Sequence, residues 1–168
     1  EKNVLKGSGD TATGIELNGV VQIAVSENEI SGVSVGLRCG EEAQVSVSSN
    51  KIESLTSGID VGGSCVVKVS NVTIAGSGES AIRFGVTSSG EVSSSTISGI
   101  RGIEVGGTSE VGVSSNTLTC SETCISYREE SHGKIEKNVL KGSGDTATGI
   151  ELNGVVQIAV SANETPGV

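Results

Sequence analysis

A short pattern returns through the chain at a nearly fixed distance: glycine, then Ile or Val, any residue, then Val or Leu. With the leading glycine relaxed, its anchors are Ile15, Val33, Ile59, Ile82, Ile103, Ile125 and Ile150. The steps between them are 18, 26, 23, 21, 22 and 25 residues, averaging 22.5. Behind each anchor stands a second element, clearest as VSVSSNKI at residues 45–52 and VGVSSNTL at 111–118, and worn to KIEKNVL at 134–140. Alternation of period two in runs this short marks strands with one face inward. Short strands recurring in fixed order require that each turn sit on its predecessor, with like strands paired in parallel about 4.8 Å apart. The expected fold is all-β, a single-stranded right-handed parallel β-helix of about seven turns of about 22 residues. The right hand follows from the general crossover preference.

A larger repeat is laid over the smaller one. Residues 1–26 return letter for letter as residues 136–161, an offset of 135. The copy then drifts: Glu27 becomes Ala162, Ile30 becomes Thr165 and Ser31 becomes Pro166, while Gly32 and Val33 return as Gly167 and Val168. Folds tolerate far more variation than this, so the identity marks a recent duplication. Six small turns make one large unit. The chain therefore reads as one continuous β-helix over 1–168, with 1–135 as one six-turn unit and 136–168 as the start of the next. Solenoids ordinarily finish in caps that cover their end strands. None is read here, and the array is expected to continue both ways.

The residue types agree with this plan. The 168 residues include 25 Gly, one Pro and neither Met nor Trp, and the apolar side is nearly all Val and Ile. β-branched residues suit strands, and Gly and Ser suit turns. Phe84 and Tyr127, the only aromatics, fall in the inward stack Leu17, Val35, Val61, Phe84, Val105, Tyr127 and Leu152. Asn28, Asn50, Asn116, Asn138 and Asn163 share one slot, which Val72 and Ser95 fill in the two intervening turns. An amide at a bend can bond its own backbone and the turn above or below, so this ladder is read as structural.

Segments such as GIDVGGSCVVKVSNVTI (58–74) and GIEVGGTSEVGVSSNTL (102–118) resemble the right-handed parallel β-helix repeats of the pectate-lyase-like superfamily, in its tandem-array surface or fibre type. The resemblance covers essentially the whole chain at the level of the fold pattern. It implies handedness and an elongated prism. Members of that superfamily include polysaccharide-cleaving enzymes, inert shafts, adhesins and phage tailspikes, and fold alone does not choose among them.

The catalytic motifs that the resemblance would imply are not intact. SHGK (131–134) contains His-Gly, but no paired Asp stacks beside it, and the lyase Arg-x-Pro-x-x-Arg motif has no Pro to use, since Pro166 is the only one. His132 is expected to cap a bend. Glycoside cleavage needs two carboxyls about 5–10 Å apart; Asp10 and Asp145 lie six turns, or about 29 Å, apart. Asp60, Arg83 and Glu104 are expected as an alternating ladder of outward charges on successive turns, contributing about 0.2–1 kcal/mol per pair. The expected function is a structural, non-catalytic segment of a long extracellular tandem-repeat β-solenoid: a fibre, filament or cell-surface stalk. The alternatives are a carbohydrate-active or glycan-binding β-helix, or an adhesin shaft with its binding head outside the segment.

A net charge of −9 disfavours nucleic acid and anionic membranes as partners. No apolar run approaches the 18 residues of a membrane span. The expected partners are further copies of the repeat in the same chain, end-to-end or lateral self-association, and glycans, with no cofactor. Lateral contacts are expected at two irregular insertions, KGSGDTAT (6–13) and LRCGEEAQ (37–44). Cys39 and Cys65 both lie four residues past the second inward position of their turns, which would make them vertical neighbours and a disulfide. Cys120 and Cys124 flank a three-residue bend and form the second candidate disulfide. Disulfides, with Asn71-Val-Thr and Asn163-Glu-Thr as glycosylation acceptors, point to an extracellular or cell-surface location.

Overall fold

The computed structural model describes residues 2–19 and 22–168. Every pairing among its strands is parallel, and among the described residues there is no helix. One sheet has seven short strands: Gln22–Ser26, Gln44–Ser48, Val66–Ser70, Ser89–Ser93, Glu110–Ser114, His132–Glu136 and Gln157–Ser161. The other is built on the long strands Glu29–Cys39, Lys51–Val61, Thr73–Phe84, Thr96–Val105 and Thr117–Arg128. Each turn contributes one strand to the short-strand sheet and one long strand, or two shorter ones, to the other, so strand neighbours are about one repeat apart in sequence. The result is a β-solenoid of about seven turns.

The core is a set of vertical stacks. Leu5, Ile30, Ile52, Ile74, Ile97, Leu118 and Leu140 are mutual neighbours in register. So are Val25, Val47, Val69, Val92, Val113, Ile135 and Val160 on the opposite sheet. Each fully buried Val, Ile or Leu contributes about 1.5–3 kcal/mol by leaving water.

The anchor stack differs from expectation in one turn. Ile15 pairs with Leu37, and Leu37 with Ile59, so Leu37 is the anchor and Val33 is not. The neighbouring stack likewise takes Cys39 in place of Val35, since Leu17 pairs with Cys39 and Cys39 with Val61. GVSV fits the pattern, whereas the true anchor segment GLRC, four residues later in the strand Glu29–Cys39, keeps the glycine but carries Leu and Cys at the two apolar positions. The real steps are then 22 and 22 in place of 18 and 26. One of the two expected insertions disappears with this correction: LRCGEEAQ supplies a regular anchor followed by an ordinary turn. KGSGDTAT is a true interruption. It separates Val4–Lys6 from Thr13–Leu17, which both pair with Glu29–Cys39. Its second copy separates Val139–Gly142 from Thr148–Asn153, which both pair with Thr117–Arg128.

Phe84 and Tyr127 are fully buried. A longer side chain in one stack needs room in the facing one. In the slot occupied by Val67 and Val111, the turn of Phe84 carries Gly90, where an added Cβ would lie 3.2 Å from the Phe84 ring and against the Val67 carbonyl. Tyr127 is followed at the same interval by Gly133, and its hydroxyl donates to the Val111 carbonyl at 2.6 Å. Ring and glycine exchange volume across the core.

Candidate functional site

The corner after each short strand is built alike in every turn. Glu27, Ser49, Asn71, Ser94, Ser115, Lys137 and Ala162 all hold φ between 51° and 58°. An L-residue in this left-handed region costs about 1–2 kcal/mol. The residue that follows offsets the cost. Asn28 Nδ2 donates to Asn50 Oδ1 at 3.0 Å, and Asn116 Nδ2 to Asn138 Oδ1 at 3.0 Å. The Asn28 and Asn116 backbone amides donate to the same oxygens at 2.9 and 3.0 Å. Where side chains interrupt the run, Val72 N donates to Ser95 Oγ at 3.2 Å and Ser95 N to Asn116 Oδ1 at 3.0 Å. Asn163 accepts from Asn138 and donates to the Ile135 carbonyl at 3.0 Å. Asn3 also belongs to the slot, donating to Asn28 Oδ1 at 3.0 Å. It was legible as the counterpart of Asn138 in the repeat.

Outward charges gather on the long-strand sheet. Asp60, Arg83 and Glu104 are register neighbours on successive turns, and Arg38 extends the column below Asp60. Adjacency does not become the expected alternating chain of ion pairs. Asp60 takes Arg38 at 3.4 Å, and Glu104 takes Arg101 at 3.0 Å and Arg128 at 3.8 Å. Ser80 Oγ also donates to Glu104. Arg83 has no ion pair among the described residues. Arg83, Arg101, Glu104 and Arg128 line a shallow cavity of about 500 Å³ with Glu79 and Glu129, so that its charges largely offset one another.

A second groove of about 610 Å³ runs across the short-strand sheet, where Lys68, Glu91, Glu110, His132 and Lys134 face outward from four consecutive turns. His132 opens a strand, and its Nε2 lies 3.6 Å from Glu110 Oε2. Gly112 pairs with Glu91, so Glu110 sits one turn up and two residues along, about 8 Å away by strand geometry. Lys134 holds Glu136 at 2.7 Å, and that hydrogen bond keeps the Glu136 carboxyl below its ordinary range. The search for paired carboxylates missed Glu91 and Glu110, because the two belong to different slots of neighbouring turns. The available signal was the V-x-V alternation, which points residues 68, 91, 112 and 134 to one side.

All four cysteines are buried free thiols. Cys39 and Cys65 are not register partners, because Cys39 stands beside Val61, while Cys65 precedes Val66, the partner of Gln44; their thiols nonetheless lie within hydrogen-bonding reach of each other. Cys65 Sγ also donates to the Glu41 carbonyl at 3.3 Å. Burial, then a hydrogen bond with Cys65, pushes the Cys39 thiol up. Cys120 and Cys124 flank no bend. Both lie inside the strand Thr117–Arg128, around a bulge where Gly99–Arg101 opposes Cys120–Thr123. The Cys120 thiol is pushed up by its hydrogen bond to Cys124 and by burial. Of the acceptor motifs, Asn71 is exposed, whereas Asn163 is half-buried with its amide engaged in the ladder. No group of three or more His, Cys, Asp or Glu is placed to hold a metal among the described residues.

No curated protein and no solved structure matches the chain. A family model described as a right-handed beta helix region matches residues 57–165, well over half of it. That span takes in the aromatic–glycine exchanges, both thiols of the bulge and every outward charge named above except Arg38. With its parallel registers and seven-turn column, the chain belongs to the right-handed β-helix family.

Proposed function

We propose that this chain is a structural, non-catalytic stretch of a longer tandem-repeat solenoid, a shaft or filament at the cell surface or outside the cell. The observation that supports this most is the equivalence of the two copies. Val4–Lys6 and Val139–Lys141, identical in sequence, hold the same place in the same sheet six turns apart. Parallel ladders, Val/Ile stacks and the asparagine column pass through both. Such a column resists bending because displacing one turn breaks backbone, core and amide contacts together. Its acidic exterior keeps neighbouring shafts apart in solution. Electron microscopy of native material should show unbranched rods with an axial repeat of about 29 Å, six strand spacings. Compact particles with no such repeat would sink the reading.

One observation favours a second reading, a glycan-binding or glycan-cleaving face. Glu91, Glu110 and His132 share an open groove with Lys68 and Lys134, and the backbones of the two glutamates stand about 8 Å apart, near enough for their carboxylates to adopt the separation that glycoside cleavage uses. A panel of acidic and neutral polysaccharides, assayed for new reducing ends and for binding, separates the two. Turnover lost in Glu91→Gln and Glu110→Gln would establish the second.

A further inference from the structure

Four thiols are sealed in the core of this column, in two pairs of different kind. Cys120 and Cys124 lie on one strand, Thr117–Arg128, with three residues of its bulge between them. Cys39 and Cys65 lie on neighbouring turns, at opposite ends of a stacked corner. Cys39 ends the strand Glu29–Cys39, and Cys65 stands just before the strand Val66–Ser70 of the next turn. Backbone bonds hold both flanks of that corner. The Gly62 amide donates to the Cys39 carbonyl at 2.8 Å, and the Val66 amide to the Ala43 carbonyl at 2.9 Å.

Two observations bring these side chains together. The sulfurs are within hydrogen-bonding reach, and Cys65 Sγ is held over the corner by its bond to the Glu41 carbonyl at 3.3 Å. The same diagonal recurs three turns on. Val105 occupies the slot of Cys39, and Ser131 stands before His132 as Cys65 stands before Val66. There Ser131 Oγ reaches the Val105 carbonyl at 3.5 Å. Residues in these two slots on successive turns therefore converge, and among the described residues only this level of the column has sulfur in both.

We propose that Cys39 and Cys65 are a redox clasp, a dithiol that closes to a disulfide between neighbouring turns and is held here in its reduced form. Glutathione disulfide is a sufficient oxidant. Burial and the contact with Cys65 keep Cys39 protonated, so Cys65 attacks first. Its thiolate displaces one glutathione and leaves a mixed disulfide; the Cys39 thiolate then attacks the Cys65 sulfur and displaces the second. The two thiols give up two electrons and two protons, and one glutathione disulfide becomes two glutathione thiols. Both cysteines are fully buried, so closure belongs to folding and is slow once the corner has formed. The bridge encloses the 25 residues from 40 to 64, a whole turn, and removes that freedom from the unfolded chain. A Cys120–Cys124 bridge would enclose three residues of one strand and join no turns.

The clasp does not depend on the chain being a shaft. Protein refolded in a mixture of reduced and oxidised glutathione is alkylated in denaturant, cut with trypsin and mapped by mass spectrometry. The expected result is a link between the peptides 39–51 and 52–68, absent after reduction. Thermal melts should place the oxidised protein about 5–10 °C above the reduced one. Cys120→Ser with Cys124→Ser should keep that rise, and Cys39→Ser with Cys65→Ser should abolish it. Oxidant added after folding should close the link at least ten-fold more slowly than during refolding. Four alkylated thiols, a link from Cys39 or Cys65 to any other cysteine, or a link without a rise in midpoint overturns the proposal. The peptide map uses the unaltered chain, so it decides even where a serine variant fails to fold. Neither result changes the axial repeat seen by microscopy, and that repeat tests the shaft reading separately.

Discussion

Residues 1–26 and 136–161 carry the same side chains and meet different neighbours. Leu140 is buried and its counterpart Leu5 only half-buried; Ile158 is half-buried and Ile23 exposed. At Val25 and Val160 the order reverses. The difference teaches that burial in this column belongs to the stacking and not to the segment. A hydrophobic residue delivers its full transfer energy only where a turn lies on either side. A single turn has no core of its own, so stability is a sum over interfaces between turns.

The comparison is broken most strongly in the core. Leu140→Ala is expected to lower unfolding stability by about 2–5 kcal/mol, because the surrounding turns cannot close over the cavity. Leu5→Ala should cost less than half as much. Urea denaturation of the two variants measures both, and equal losses would show that the copies are not distinguished by their neighbours.

The ladder gives the next largest effect. Asn138→Ala removes the acceptor used by the Asn116 backbone amide and the donor to the Val113 carbonyl, in a buried slot. A loss of about 1–3 kcal/mol follows from leaving such groups unpaired. The same change at exposed Asn3 should cost under about 1 kcal/mol, because water replaces the amide.

A pH titration probes the interface beneath the second copy, where Tyr127 pairs with Leu152. Burial raises the Tyr127 phenol above its ordinary value. An unfolded tyrosine ionises near pH 10, so this contribution is whole below that pH and fades as the pH climbs toward the folded value. Stability should fall by about 1.4 kcal/mol per pH unit in that window. Tyr127→Phe should flatten the alkaline limb while losing the bond to Val111. Thermal melts from pH 8 to 12 read the slope.

The smallest effect sharpens the comparison by ignoring it. Glu27→Gly and Ala162→Gly relieve the left-handed corner in each copy. Each should stabilise by about 0.5 kcal/mol, after the entropy that glycine adds to the unfolded chain. Equal gains would show that corner strain is local, unlike burial.

How much of this was legible in the sequence depended on whether a feature repeats. The period, the enclosed Phe84 and Tyr127, and the adjacency of Asp60, Arg83 and Glu104 all follow from residues recurring in fixed slots. The anchor in the second turn did not, because Val33 satisfies the pattern and Leu37, with Cys39 behind it, does not, although both Val33 and Leu37 are buried in one long strand. That four-residue slip also misplaced Cys39 and turned LRCGEEAQ into an insertion. The groove was hidden for another reason. Glu110 and His132 are register partners, but Glu91 shares their side of the sheet from a different slot, so reading recurring columns alone does not bring the three together. Partner choice among the charges was equally out of reach: Glu104 takes Arg101 and Arg128 although Arg83 is its register neighbour.

The asparagine column has one property that its individual bonds do not. Wherever two asparagines adjoin, the earlier side chain donates to the oxygen of the later one and never the reverse, while the second amide hydrogen of Asn50, Asn116, Asn138 and Asn163 reaches a backbone carbonyl of the turn before, so the small dipoles add along the axis. The column is therefore an arrow. Turned end over end it would set donors against donors, and two such rods meeting at random can fuse in only one orientation.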